Sequence, residues 1–198
     1  MEKYKILTSF KDYINSYSKI SNEEILLIDQ IAEVVKADKN QVLLSMGVVS
    51  NYIFYIYTGT LIAFYADSKG NTYNKNIFMD NQLAASTVSS LLRVPSEFTL
   101  QAIENSVLLR IDFLKYQQLI KQNEKLKNFY IAYLEKNWII DKEQREVSIV
   151  MEDASIRYQK LIQKFPDIHH RVPLLHIASN LGITPTQLSR IRKKIKNI

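Results

Sequence analysis

The stretch LLHIASNLGITPTQLSRIRKKI, residues 174–195, predicts two short helices that meet at a glycine. The small side chain of Ala178 allows the two helices to cross closely, and Gly182 permits a tight turn because glycine accepts a positive φ. Thr184 followed by Pro185 indicates the start of the second helix, with threonine as the N-cap and proline in the first turn. This is the pattern of a helix-turn-helix unit.

The second of these helices divides into an apolar face and a polar, basic face. Apolar residues recur at steps of three and four from Leu188 to Ile195 and are expected to pack on the first helix. The residues predicted to bind DNA are Thr184, Thr186, Gln187, Ser189, Arg190, Arg192, Lys193 and Lys194. Arg190 has the geometry to grip guanine O6 and N7 in a major groove, whereas Arg192 and Lys194 are better placed for phosphate.

Positive charge is concentrated at the same end of the chain. Residues 157–198 contain nine Lys/Arg and one acidic residue, a net charge of +8, whereas the remaining 156 residues carry 17 basic and 19 acidic side chains, a net charge of −2. A field of this kind attracts polyanions, nucleic acid first and acidic membrane surfaces second. A solvated basic tail would carry the same charge, so the charge supports the DNA prediction without deciding it.

Short strand-like segments dominate the middle of the chain. Between residues 41 and 111, apolar runs rich in β-branched and aromatic residues are separated by turn signals such as Gly59 and the SKGN sequence at 68–71, a predicted hairpin turn. Several such strands at close spacing predict an antiparallel β-roll or jelly roll.

Helical spacing flanks this segment on both sides. The SNEE sequence at 21–24 is a capping-box pattern, and the apolar spacing after it predicts a helix that ends near Lys36. After Asp112, a predicted N-cap, helical spacing resumes, with breaks at Asn123 and near residues 152–153.

One stripe of the later helical segment has the spacing of a coiled coil. Its positions are separated by alternating steps of four and three over about four heptads, with polar residues at two of the eight positions. One helix cannot bury such a stripe alone, so the stripe predicts a dimerisation helix; packing on the protein's own domain is the alternative. The predicted interface residues are Leu126, Tyr130, Tyr133, Asn137, Ile140, Gln144, Val147 and Met151.

These patterns predict an α+β chain with three parts. They are an N-terminal antiparallel roll at 1–122, a long dimerisation helix at 123–151 and a C-terminal helix-turn-helix DNA-binding domain at 152–198. This order, with QVLLSMGVVSNYIFYIYTGTLIAFYADSKGN at 41–71 and RVPLLHIASNLGITPTQLSRIRKKI at 171–195, resembles the Crp/Fnr family of bacterial transcription regulators over essentially the whole chain.

The resemblance implies a roll like those that bind cyclic nucleotides, and homodimers that bind two-fold-related half-sites of double-stranded DNA about 34 Å apart. It matches Arg190 to the family's guanine-reading arginine and makes RNA polymerase a further candidate partner. Because the sequence stops at Ile198, soon after the second helix, we expect the family's wing hairpin to be absent or very short.

The sensor cassette departs from the family pattern in DNQLAASTVSSLLRVPSEFTLQAIENS, residues 80–106. Members that bind cyclic nucleotide carry Gly-Glu for the ribose and, about ten residues on, Arg-Ser or Arg-Thr for the phosphate. Here Ala85 and Ser86 occupy the first position and Ser96 and Glu97 the second, and a carboxylate at a phosphate site repels an anion. With Arg93, which is close enough to reach inward if the loop is rearranged, these residues form the candidate ligand pocket. We expect no high-affinity cyclic AMP binding, and the effector is not identified.

Composition excludes several cofactors and compartments. With no cysteine the chain forms no disulfide, no thiolate zinc site and no cysteine-ligated iron–sulfur cluster. The three histidines, at 169, 170 and 176, fall in the predicted DNA-binding domain, so a haem in the roll would have no histidine ligand. A paired His169–His170 metal site is the alternative to a surface pair of histidines; the surface pair is favoured, so no cofactor or metal site is predicted. No run of eighteen apolar residues or secretory signal occurs, so we expect a cytoplasmic protein without a membrane partner.

Two functional hypotheses follow from these observations. The first is a dimeric, sequence-specific DNA-binding transcription regulator of Crp/Fnr type with a degenerate cassette. The alternative is a ligand-binding or partner-docking module whose basic C-terminal segment binds polyanions non-specifically. An enzyme is not predicted, because neither a Ser/His/Asp constellation nor a phosphate-cradling glycine loop occurs.

Overall fold

The computed structural model of the protein describes residues 2–67 and 72–196. The strands are β1 (Ala32–Ala37), β2 (Val42–Leu44), β3 (Tyr52–Thr58), β4 (Leu61–Ala66), β5 (Thr72–Phe78), β6 (Leu83–Ala84), β7 (Thr99–Ala102) and β8 (Ser106–Asp112). They pair antiparallel in two sheets, of order β1-β8-β3-β6 and β2-β7-β4-β5. This is the predicted roll. The predicted turn at 68–71 lies outside the described residues.

The first sheet is buried on both faces because alternate residues of its strands face different cores. In β3, Phe54 and Ile56 pack with residues of the second sheet inside the roll. Ile53 and Tyr55 face the opposite way and pack against helices. Burial of the four consecutive residues therefore requires a helical layer outside the sheet.

That outer layer is built from helices at both ends of the roll. The helices up to residue 134 are α1 (Glu2–Asn15), α2 (Asn22–Asp29), α3 (Thr87–Leu92), α4 (Phe113–Gln122) and α5 (Glu124–Leu134). The sequence analysis missed α1, although Ile6, Phe10 and Ile14 are spaced for one apolar face. The rings of Phe10 and Tyr55 lie 4.7 Å apart, so α1 seals the outer face of β3.

The predicted helix from residue 21 to Lys36 is confirmed at its start and wrong in its second half. The capping box of Ser21 and Glu24 is present, but α2 ends at Asp29 and β1 follows. Val34 and Val35 pair with β8 and face opposite sides of the sheet. Their β-branched side chains suit a strand, and pairing with a distant strand outweighs the helical spacing of the apolar residues.

A continuous helical segment joins the roll to the C-terminal part. It consists of α5, a π-helical segment at Glu135–Ile140, and α6 (Asp141–Met151). Asn123 caps its start by accepting from the N–H of Leu126 at 3.0 Å, as the predicted break there requires. The π-segment contains wider i→i+5 turns and rotates the residues after it relative to those before it. The eight predicted interface positions therefore do not lie on one straight stripe.

The first half of the predicted dimer interface lies in the protein's own core. Leu126 is fully buried, and Tyr130 and Tyr133 pack against the same cluster. Asn137 donates to Tyr17 Oη at 3.1 Å, which ties it to the turn after α1. Leu126 is thus a core residue and presents no surface to a second copy. The alternative of packing on the protein's own domain holds for this half.

The second half of the stripe is exposed in the chain. Ile140, Gln144, Val147 and Met151 all lie at the surface, and α6 buries none of its residues within the chain. A groove of about 500 Å³ runs beside Ile140, Gln144 and Val147. The exposed positions of the predicted dimer interface therefore lie in the π-segment and α6, and the dimer contact itself stays a prediction.

The C-terminal part shares its core with the roll. Its helices are α7 (Ala154–Lys164), α8 (Ile168–Arg171), α9 (Leu174–Asn180) and α10 (Pro185–Lys196). We call the shared cluster the joint core. Its buried members are Ile62, Ile77, Met79 and Ile103 from the roll, and Tyr158, Ile168, Val172, Ile177, Ala178, Leu181 and Leu188 from the C-terminal helices. None of the helices in the described ranges has the length and apolar character to span a bilayer.

Candidate nucleic-acid interface and the cassette of the roll

The predicted helix-turn-helix is present as α9, a turn and α10. Gly182 has a φ of +69° in the turn, the left-handed conformation for which glycine was predicted there. Thr184 caps α10, since its Oγ1 accepts from the N–H of Gln187 at 3.2 Å, while Gln187 Oε1 accepts from the N–H of Thr184 at 2.8 Å. These reciprocal bonds form a capping box that fixes the direction in which α10 leaves the turn.

Gln187, one of the predicted DNA-binding residues, also takes part in the capping box. Its Oε1 also lies 3.1 Å from Thr184 Oγ1, so the amide oxygen and the threonine hydroxyl are bound to each other. The two side chains hold the helix start together through their oxygen atoms and remain exposed, so their contacts with DNA stay a prediction. The T-x-x-Q spacing at 184–187 is the sequence signal for this bond, and the sequence analysis used only its first member.

The other predicted DNA-binding side chains lie away from the joint core. Thr186, Arg190, Lys193 and Lys194 are exposed and Ser189 is half-buried. Leu188 is fully buried on the opposite side of α10, as its spacing predicts. Arg190 makes no hydrogen bond or ion pair with another residue of the described ranges, so its donors are available to a ligand.

Arg192 occupies a different environment from Arg190. It is half-buried and lies near Tyr158 of α7. Burial raises the pKa of the Tyr158 phenol, and the positive charge of Arg192 opposes that rise. The Tyr158 hydroxyl is 2.8 Å from His169 Nε2, so α7, α8 and α10 meet at this point. Arg192 thus lies at the edge of the basic face, nearer to the core.

Arg157 stabilises the turn between α9 and α10, a role that was not predicted from the sequence. Its Nη2 donates to the carbonyl oxygen of Leu181 at 3.1 Å, and its Nη1 donates to the carbonyl oxygen of Glu152 at 2.5 Å. Leu181 is the C-cap of α9, so one guanidinium joins the end of the long helix to the helix-turn-helix. No local motif marks this contact, because its partners lie at both ends of the C-terminal part.

The cassette between β6 and β7 is closed by its own hydrogen bonds. Ser86 and Ser96, the two positions that the sequence resemblance matches to ribose and phosphate contacts, are both buried with their Oγ atoms 3.0 Å apart. Ser89 Oγ accepts from the N–H of Ser50 at 2.9 Å and donates to the carbonyl oxygen of Val94 at 2.5 Å. The hydroxyls of Ser86, Ser89 and Ser96 are therefore all hydrogen-bonded, either within the cassette or to the neighbouring backbone.

The remaining residues of the candidate pocket point elsewhere. Arg93 ends α3 with a φ of +58°, and its Nη2 donates to Asn51 Oδ1 at 2.7 Å on the outer surface. Glu97 is exposed, and Ala85 packs against the core under the helical layer. In this arrangement of the loop Arg93 does not reach inward, and its predicted approach to the pocket after a rearrangement stays a prediction. The structure brings Ser86 and Ser96 together and separates them from the charged side chains.

Within residues 2–67 and 72–196 no group of three or more His, Asp or Glu side chains is arranged to hold a metal ion.

No protein-family model matches the sequence, and no curated protein matches it. Solved structures do resemble it. FixK2 from Bradyrhizobium japonicum superposes with a TM-score of 0.69 at 12% identity, over 84% of this chain and 85% of that chain. The c-di-GMP-responsive global regulator CLP of Xanthomonas campestris gives 0.62 at 12% identity, over 89% and 92%. The catabolite activator protein of Thermus thermophilus gives 0.53 at 14% identity, over 90% and 84%.

At these identities the likeness shows the fold. The chain has the architecture of Crp/Fnr regulators, an antiparallel roll of the cyclic nucleotide-binding type followed by a helical C-terminal part. The fold class predicted from the sequence is thereby confirmed.

Proposed function

We propose that this protein is a dimeric, sequence-specific DNA-binding transcription regulator whose roll does not respond to cyclic AMP. The placement of α10 is the observation on which the proposal rests. Its apolar side is held in the joint core, its N-terminus is fixed by a capping box, and its basic side, with Arg190 at the centre, faces outward. A helix presented in this way fits a major groove, where arginine reads guanine and lysines contact phosphate.

Dimerisation is supported by the exposed second half of the connecting helix. Val147, Val150 and Met151 are 54%, 81% and 77% exposed, which is unusual for three large apolar residues within five positions of one helix. A second copy of the same helix would cover them. A two-fold-related pair would also place two copies of α10 for two half-sites.

The lack of a cyclic AMP response is supported by the closed cassette. The Ser86–Ser96 bond occupies the positions where ribose and phosphate contacts are required, and Arg93 is bound to Asn51 outside. We expect no change in melting temperature of the protein when cyclic AMP is added at millimolar concentration. A concentration-dependent rise in melting temperature would contradict this part of the proposal, because a ligand that binds the folded state stabilises it.

Selection of bound duplexes from a random library tests the function directly. The full chain is expected to enrich a two-fold-symmetric sequence with two half-sites, and its binding should weaken steeply with salt. Enrichment of no sequence, with binding that follows only DNA length and salt, would support the alternative of a non-specific polyanion-binding module.

The Arg190→Ala variant distinguishes sequence-specific contacts with base edges from the general electrostatic attraction between the basic helix and DNA phosphates. We expect it to weaken binding to the selected sequence by about 1–3 kcal/mol and to relax the preference at one base pair of each half-site. Lys194→Ala is the matched control, since it removes one charge from the same helix. It should weaken binding equally for all sequences and reduce the salt dependence. Equal effects of the two variants on sequence preference would contradict the role of Arg190.

A further inference from the structure

Arg171, the last residue of α8, joins the C-terminal helices to the roll. Its Nη1 donates to Asp80 Oδ2 at 2.7 Å and its Nη2 to Asp80 Oδ1 at 2.9 Å, a bidentate pair. Nη2 also donates to Glu104 Oε1 at 2.7 Å and to the carbonyl oxygen of Gly59 at 2.9 Å. One side chain thus binds three separate loops of the roll, a geometry that the planar fork of arginine allows and lysine does not.

The roll itself orients the two carboxylates that bind Arg171. Asp80 Oδ1 accepts from the N–H of Gly59 at 2.7 Å, and Glu104 Oε1 accepts from Thr60 Oγ1 at 2.5 Å. Asp80 follows β5 and Glu104 lies between β7 and β8, yet both are held toward one point by residues 59–60. Two carboxylates so close repel each other unless a cation lies between them, so this acidic pair is built to receive Arg171.

A second contact lies beside the first. The Asn74 N–H of β5 donates to Ser179 Oγ at 2.8 Å, and Asn74 Nδ2 donates to the carbonyl oxygen of His176 at 3.1 Å. The joint core fills the space between α9 and the strands. The C-terminal helices are therefore held to the roll by an apolar core with polar contacts at two places.

We propose that Arg171 is a positioning residue that locks the C-terminal helices to the roll, so that the two move as one rigid body and the two copies of α10 in a dimer keep one separation. The inference rests on the proposed DNA-binding function for its consequence, the half-site spacing. A locked α10 accepts one spacing and loses little freedom on binding. An unlocked one accepts several spacings and binds each less tightly, because ordering it costs free energy.

The first test uses duplexes that carry the selected half-sites with spacers of different length. The parent is expected to bind one spacer length well, whereas Arg171→Gln should bind several and lose about tenfold in affinity for the best one, within the usual range of coupling between sites. Sequence preference within each half-site should not change. Lys164→Gln is the matched control, because it removes one charge from α7 and its pair with Asp141 is long, at 3.9 Å. A spacer preference in Arg171→Gln as narrow as in Lys164→Gln would overturn the proposal.

The second test does not depend on DNA. The chain has no cysteine, so cysteines placed at the exposed positions Lys39 and Gln163 would be the only sites for spin labels. In labelled chains diluted with unlabelled protein, the distance distribution between the labels should be narrow in the parent and wider in Arg171→Gln. An equally narrow distribution in the variant would overturn the lock.

Two further comparisons distinguish a failure of the variant to fold, or a failure of the proposed function, from a failure of the proposed lock. If Arg171→Gln does not fold, Asp80→Asn tests the same contact from the roll, with the C-terminal helices unchanged. A narrow distribution in the parent, a wider one in the variant and no selected DNA sequence would leave the lock intact and contradict the proposed function alone.

Discussion

Gly59 lies at the contact between the roll and the C-terminal helices, at a position that only glycine fits. Its φ is +127°, and a Cβ there would lie 2.1 Å from Ser106 Oγ and 2.7 Å from Ser106 Cα. Its N–H and carbonyl oxygen bind Asp80 and Arg171. Both the space and the backbone conformation therefore require glycine.

We predict that Gly59→Ala lowers the free energy of unfolding by about 3 kcal/mol or more, because the added methyl group forces backbone and Ser106 apart at a positive φ. Gly47→Ala is the control, since Gly47 also has a positive φ, +86°, but a Cβ there meets nothing within 4 Å. It should cost only about 1 kcal/mol. Urea unfolding of the two variants measures the difference, and equal losses would show that the clash is relieved.

His176 makes the contact between α9 and β5 sensitive to pH. Asn74 Nδ2 lies 3.0 Å from His176 Nδ1 and also donates to the His176 carbonyl oxygen, so Nδ1 must accept and the ring is neutral. Burial lowers the pKa of His176 below its ordinary value. The folded state therefore binds fewer protons than the unfolded state as the pH falls below about 6.5, and stability is lost on acidification.

We predict that the free energy of unfolding of the parent falls between pH 7.5 and pH 5.5, and that His176→Gln flattens this dependence because glutamine has no proton to gain. The measurement is urea unfolding at both pH values. His170→Gln, at an exposed histidine, should retain the slope of the parent. The explanation fails if the two variants have the same pH dependence.

At the scale of whole elements, α6 is the part of the long helix that is not covered. We predict that Val147→Glu shifts the protein from dimer to monomer at micromolar concentration, because it places a charge in an interface that would otherwise be apolar. Sedimentation equilibrium measures the dissociation constant. Val42→Glu, on the roll and 45% exposed, is the control and should leave it unchanged. A parent that is monomeric, or a variant as dimeric as the parent, would contradict the interface.

The elements that could be predicted are those with local signals. Asp112 accepts from the N–H of Lys115 at 3.0 Å at the start of α4, and Thr184 caps α10, both as the sequence indicates. The helix-turn-helix was predictable because its caps, its glycine and its apolar spacing lie within 22 residues, 174–195. Such bonds join near neighbours, so their residue types are readable without the fold.

The elements and contacts that escaped prediction depend on distant partners. β1 was taken for helix because Val34 and Val35 find their strand partners at Leu108 and Leu109, far along the chain. The π-segment at 135–140 leaves no signature in spacing alone. The resemblance to the family indicated Ser86 and Ser96 as cassette positions, but the hydrogen bond between them could not be predicted from the sequence. The resemblance located these two positions, whereas the packing of the folded chain determines which groups their side chains contact.

At the scale of the whole molecule, the joint core is shared by the roll and the C-terminal helices, so we expect the two parts to unfold together. Ile177 is nearly fully buried among roll and C-terminal residues alike. We predict that Ile177→Ala lowers the unfolding midpoint of roll and C-terminal helices together, at a cost of about 2–5 kcal/mol. Fluorescence of Trp138 and far-ultraviolet circular dichroism, compared at one protein concentration, should give coincident transitions. Two separate transitions in the parent would show that the parts fold independently.

The shared cluster also limits how such a protein can be recombined. A chimaera that transplants residues 154–196 onto a foreign sensor would leave Ile177 and Leu181 facing water, unless the recipient supplied equivalents of Ile62, Ile77 and Ile103. A substitution that changes the volume of a buried residue on one side of the joint core is expected to require a compensating change on the other side. The roll and the C-terminal helices of this chain can therefore be exchanged only together with the residues that pack across the joint core.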